Sequence, residues 1–181
     1  MHVKTKKLTV SAMLLAVSVL LVYMGNMIES STLFFLAAAS FGVGLMQREY
    51  GTGSGFVLWI ATVLLGLLLV PQKLYLLTYS AFALYILLTE SIWNRLCRMQ
   101  EEKKRRLTFL IARLVIFLVL YIPLVIALPR LILNTALTQK AGNLLYPVLI
   151  GFGLCFLVLF DRTYCYFQGV VWEKIRRALK L

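Results

Sequence analysis

The stretch LTVSAMLLAVSVLLVYMGNMI, from Leu8 to Ile28, decides the class of fold. It holds 21 residues without a charge; Lys4, Lys6 and Lys7 precede it and Glu29 follows it. A helix of this length rises roughly 30 Å, which is about the thickness of the hydrocarbon core of a bilayer. The stretch therefore predicts a membrane-spanning helix at the start of the chain.

The composition extends this prediction to the whole chain. Of its 181 residues 61% are hydrophobic and 14% are charged, and the mean hydropathy is +0.88. A water-soluble domain of this size cannot hide so much apolar surface, so we predict an all-α polytopic membrane protein. The net charge of +12 arises from basic residues at the ends of apolar spans. Orientation in the membrane and contact with anionic lipid explain this charge, and no binding to nucleic acid is expected.

Six apolar spans are predicted, and we expect them to form one transmembrane bundle over residues 1–169. The second span is short and rich in alanine and glycine, a composition that favours tight helix–helix contact. Residues 170–181 carry apolar and basic side chains at helical spacing, which predicts a short amphipathic helix lying on the cytoplasmic leaflet. The six spans cover residues 8–28, 31–47, 52–70, 73–93, 107–128 and 143–160.

The distribution of lysine and arginine predicts the orientation. With the N-terminus inside, the cytoplasmic segments hold 15 basic residues and the opposite side holds three, Lys73, Arg130 and Lys140. Such a bias across short loops places the basic side in the cytoplasm. We therefore expect a multi-pass protein of the cytoplasmic membrane with both termini inside the cell.

Two charged residues fall within the spans, where a charge is costly unless it is paired. Glu90 lies near the cytoplasmic end of the fourth span, and Arg113 lies about two turns into the fifth. Because the two helices are joined by a short loop and run antiparallel, both residues fall at a similar depth. We predict that Glu90 and Arg113 form a structural ion pair; the alternative, a proton or ion relay, needs more intramembrane acids than this chain has.

Polar side chains gather at the outer ends of the spans. A bundle that opens outward under a polar lid would suit a small molecule held by a few polar anchors. Ordinary loop polarity is the alternative explanation for these residues, and an interfacial aromatic belt is the alternative for Tyr79. The excess of basic over acidic groups there favours a ligand with an anionic group. The candidate substrate-binding residues are Asn26, Glu29, Tyr79, Arg130, Asn143 and Tyr146.

The residues that carry known chemistries do not form a recognisable catalytic set. Glu101, Glu102 and Arg106 match the EExxxR element of intramembrane CAAX-type proteases, but those enzymes also need histidines on later helices and the chain has only His2. Nucleotide-binding, hydrolase and zinc-protease motifs do not occur either. We therefore expect no catalytic residue, no metal site, no cofactor and no enzyme activity.

The first 70 residues resemble the substrate-binding S component of an energy-coupling factor (ECF) transporter. The basic start KTKKLTVSAMLLA leads into a helix with an AxxxA spacing at Ala12 and Ala16, and the turn REYGTGSGF, from Arg48 to Phe56, is similar to the family's glycine-rich second turn. The resemblance implies a six-helix subunit that captures a vitamin-like micronutrient and docks through Ala12 and Ala16 on a transmembrane T subunit driven by ATPase subunits. A metal ion as substrate is disfavoured.

Two other classes of protein share these properties. The MreD family of rod-shape determinants has a similar length, hydrophobicity and helix number and acts as a scaffold, and an accessory subunit of a membrane complex is the second alternative. The Ala12–Ala16 spacing also arises by chance in apolar helices. A closed outer pocket lined by the candidate residues would distinguish a transporter subunit from a scaffold.

Overall fold

The computed structural model describes residues 2–96, 102–132 and 135–174. Within these ranges side chains are described except at positions 2–4, 6, 29, 103, 124–132, 135–150 and 171. The predicted C-terminal amphipathic helix lies mostly outside the described residues.

The described part of the chain is helical throughout, which confirms the predicted all-α class. A single 3-10 turn, Glu29–Ser31, separates the first two helices, and a π-helical segment, Phe167–Trp172, follows the last. The six α-helices are α1 His2–Met27, α2 Thr32–Tyr50, α3 Thr52–Leu69, α4 Lys73–Leu96, α5 Glu102–Ile132 and α6 Thr135–Tyr166.

Four helices in the described part are long and apolar enough to cross a membrane, which indicates a membrane protein. Their apolar segments are Lys7–Met27, Thr52–Leu69, Lys73–Leu96 and Lys104–Pro123. Helix α2 falls outside this set because its last turn carries Gln47, Arg48 and Glu49. Six complete crossings therefore stay a prediction.

Local chemistry explains where α2 and α3 end. Gly51 adopts φ 89° and ψ 166°, a conformation open almost only to glycine, and its N–H donates to the Gln47 carbonyl at 2.9 Å. Helix α3 stops at Leu69 because Val70 precedes Pro71 and adopts an extended conformation. The predicted end of α3 lies within one residue of the observed end, whereas the predicted end of α2, at residue 47, lies three residues before the observed one.

The structure divides into two compact units, Met1–Ile116 and Phe117–Leu181. In the first unit α2 is the central helix, in contact with α1, α3 and α4. Its small residues permit close approach, as predicted: a methyl group on Gly42 would lie 2.6 Å from Ser18 Oγ of α1. The core of this unit includes Val22, Leu36 and Val43.

In the second unit α5 and α6 pack together where Gly153 of α6 meets the aromatic ring of Tyr121 of α5. A methyl group on Gly153 would lie 2.5 Å from the ring of Tyr121, so α6 lies directly against that side chain. Tyr121 in turn stacks on Phe117, with ring centroids 4.9 Å apart. The unit thus has an aromatic contact of its own between its two helices.

Candidate functional site

The predicted substrate-binding residues lie on five elements. Asn26 is half-buried in the last turn of α1, and Glu29 lies in the 3-10 turn that follows, with a side chain outside the described residues. The backbones of Arg130, Asn143 and Tyr146 belong to α5 and α6, and their side chains also lie outside the described residues. The outer pocket therefore stays a prediction.

Tyr79 is fully buried among the core side chains of α1 to α4. Its hydroxyl neighbours Thr62 of α3, whose own hydroxyl donates to the Leu58 carbonyl at 2.9 Å. Within the described residues no group meets hydrogen-bond geometry with Tyr79 Oη. The Tyr79 side chain therefore packs inside the four-helix unit, and its assignment to a ligand pocket or to an interfacial aromatic belt stays a prediction.

A buried polar cluster joins α2 to α4 at the end of the unit where α1 begins. Both Nε and Nη2 of Arg48 bind Glu90 Oε1, at 2.9 and 2.8 Å. Beside them Gln47 Nε2 donates to Ser91 Oγ at 3.0 Å and to the Leu87 carbonyl at 3.2 Å. The Glu90 side chain is only 4% exposed, whereas the Arg48 side chain is 47% exposed. The cluster holds the two helices in register.

This cluster gives Glu90 a basic partner that the sequence analysis did not name. The predicted pairing of Glu90 with Arg113 stays a prediction; the described contact of Arg113 is with the ring of Phe109, 5.0 Å from the guanidinium carbon to the centroid. Phe109 in turn lies 4.8 Å from Trp93 of α4. The α4–α5 contact at this end is therefore built from aromatic rings and guanidinium groups.

A cavity of about 700 Å³ opens between α1 and α3 at the same end of the unit. We call it the α1–α3 groove. Lys7, Tyr50 and Ser54 line its polar end, and the Lys7 ammonium lies 5.6 Å from the centroid of the Tyr50 ring. Burial, and secondarily the Glu49 carboxylate, raise the pKa of the Tyr50 phenol, which keeps it neutral at physiological pH. Such a ring can accept a cation on its face.

The rest of the groove is lined mainly by apolar side chains. Ala12 and Leu15 of α1 face Val57 and Ala61 of α3 across it. Ala12 thus lies at the groove edge, and Ala16, one turn further along α1, is also exposed. The two predicted docking residues therefore share an open face of the helix, although nothing in the structure tests docking itself.

No protein-family model matches the chain, and no curated protein or solved structure matches it. The class that the fold defines is an all-helical membrane protein, and its described features are packing contacts, a polar cluster and one groove. A more specific function has to be proposed from the geometry.

Proposed function

We propose that the chain is the substrate-binding subunit of an ECF-type importer. In this function it captures a small vitamin-like molecule at the outer side of the membrane and docks on a T subunit that is driven by ATPase subunits. The chain itself supplies binding and docking surfaces and performs no catalysis.

The observation that supports this proposal is the exposure of Ala12 and Ala16 on one face of α1. At 100° per residue the two side chains are 40° apart, and the exposed residues Leu8 and Tyr23 lie on the same side of the helix. Val10 and Ser18, each about 140° from the middle of this face, are buried. A track of small side chains on an otherwise bulky apolar face lets the backbone of a second helix approach closely.

A structural scaffold of the MreD type is the second candidate, and one observation favours it. The space around Tyr79 is filled by apolar side chains such as Leu36, Leu76 and Ala83. A scaffold needs no ligand cavity, and these buried side chains pack in one cluster with the tyrosine. The two candidates therefore differ in whether α5 and α6 add a pocket and in the partners that the protein recruits.

Affinity purification from the native membrane distinguishes the candidates. The protein carries a C-terminal tag, is extracted in mild detergent from its own bacterial host, and its partners are identified by mass spectrometry. We expect a T subunit and two ATPases with the wild type, and their loss when Ala12→Leu and Ala16→Leu are combined, because leucine side chains hold a docking helix away.

The matched control is Val17→Leu, which enlarges an exposed residue elsewhere on α1. It should retain the T subunit and the ATPases. Recovery of cell-wall machinery in place of ATPases would contradict the proposal and support the scaffold. ATPases that remain bound to the doubly substituted protein would show that docking uses another face.

A further inference from the structure

We propose that the α1–α3 groove binds one acyl chain and the headgroup of an anionic phospholipid. The structure motivates this through three features of the groove: its charge, the chemistry of its lining and its length. The inference concerns the purified chain and does not rest on the proposed importer function, although the two surfaces share Ala12, which lines the groove and is a predicted docking residue.

The mouth of the groove carries the positive charge of Lys7, and the carboxylate of Glu49, which acts on Tyr50, does not line the groove. In the described part of the chain no carboxylate lies within ion-pair distance of Lys7, and no acidic residue lines the groove. The ammonium sits over the neutral Tyr50 ring and is exposed to solvent. A lysine near the membrane surface attracts an anionic headgroup, so the charge at the mouth selects for such lipids.

The lining changes from polar to apolar along one direction. Ser54 and Ser11 lie near the mouth with Lys7, and Leu15 and Ala61 lie at the far end. The hydroxyls of Ser54 and Ser11 donate to backbone carbonyls, and the charge at the mouth comes from Lys7. This order matches a phospholipid, which has a charged headgroup followed by a hydrocarbon chain.

The length of the groove fits a lipid better than a transmembrane helix. Lys7 and Leu15 are eight residues apart on α1, as are Gly53 and Ala61 on α3, which corresponds to roughly 12 Å at 1.5 Å per residue. One leaflet contributes half of a hydrocarbon core of about 30 Å. The groove therefore ends within one leaflet, whereas a partner helix would need contact across both.

The test is native mass spectrometry of the purified full chain, titrated with phosphatidylglycerol and, separately, with zwitterionic phosphatidylcholine. We expect the wild type to bind phosphatidylglycerol more tightly. Lys7→Gln should weaken phosphatidylglycerol about fivefold, as the loss of one surface charge implies, and leave phosphatidylcholine unchanged. Ala61→Phe, which fills the apolar end, should weaken both lipids.

Matched controls separate the groove from general effects. Lys73→Gln removes a lysine that does not line the groove, and Leu68→Phe enlarges a side chain that is 83% exposed on the same helix as Ala61. Both should bind lipid like the wild type, and circular dichroism checks that each variant is helical. Lys7→Gln keeps the test decisive if Ala61→Phe does not fold.

Three results would overturn the proposal. The first is equal binding of the two lipids by the wild type, and the second is an equal loss of phosphatidylglycerol with Lys7→Gln and Lys73→Gln. The third comes from a photoreactive residue placed at Val57 in intact cells. If it forms an adduct with a protein segment instead of a lipid, the groove accommodates a protein partner.

Discussion

The contact between α1 and α2 makes a sharp prediction about Gly42. A methyl group there would lie 2.6 Å from Ser18 Oγ, and the next atom it would meet, the Leu14 carbonyl oxygen, is 3.9 Å away. Ser18 Oγ donates to the Ala39 carbonyl at 3.2 Å within a buried interface. The Gly42→Ala substitution therefore forces Ser18 to rotate and break this hydrogen bond.

The magnitudes follow from these contacts. Gly42→Ala should lower the free energy of unfolding by about 2 kcal/mol. Overpacking costs about 1–3 kcal/mol, and the buried Ser18 hydroxyl also loses its hydrogen-bond partner. Ser18→Ala should cost about 0.6 kcal/mol, a typical value for an interhelical hydrogen bond in a membrane. In the double variant the clash is gone, and alanine favours a helix over glycine by up to about 1 kcal/mol. The double variant should therefore be more stable than Gly42→Ala and close to the wild type.

The assay is unfolding in mild detergent by titration with a denaturing detergent, followed by circular dichroism. Gly53→Ala is the control, because a methyl group there meets no atom within 4 Å. It should unfold at or above the wild-type midpoint. A double variant as unstable as Gly42→Ala alone, or less stable, would refute the steric explanation.

Two further predictions concern the same unit and use the same unfolding assay. Gly51→Ala should destabilise the protein by about 1–3 kcal/mol because φ is 89° at that position, whereas Gly53→Ala should not; equal midpoints would contradict the argument from backbone conformation. Arg48→Met should lower the free energy of unfolding by about 2 kcal/mol, because the Glu90 carboxylate, which is 4% exposed, loses this partner. Glu90→Gln should lower it by about 1 kcal/mol or less, because the half-exposed Arg48 can turn to water. The reverse order would show that Glu90 does not depend on Arg48.

The sequence predicted the helices well because apolar length and boundary residues act locally. The end of α3 follows from Pro71, and the turn between α2 and α3 follows from Gly51. The burial of α2 followed from its alanines and glycines, which suit contact with other helices. The long helices α5 and α6 extend beyond their predicted spans because a helix does not need to end where the apolar segment ends.

The sites were harder to predict because they depend on which helices become neighbours in space. The pairing of Glu90 with Arg113 stays a prediction, and the ion pair that the structure describes for Glu90 is with Arg48 of α2, 42 positions away, which the sequence pattern did not indicate. The signal that could have indicated Arg48 was its place in the last turn of α2, a helix whose alanines and glycines suit close contact with its neighbours. The α1–α3 groove was missed because it combines two helices that are not consecutive.

The central claim is that the exposed face of α1 docks a T subunit, and a photoreactive residue at Ala16 tests it most directly. Ala16 is exposed and lies outside the α1–α3 groove, so lipid in the groove does not obscure the result. The control site is Leu68 on α3, which is 83% exposed. Irradiation of intact cells should yield an adduct between position 16 and a T subunit, identified by mass spectrometry, and none from position 68. Lipid adducts alone at both positions, or an adduct with cell-wall machinery at position 16, would contradict the claim.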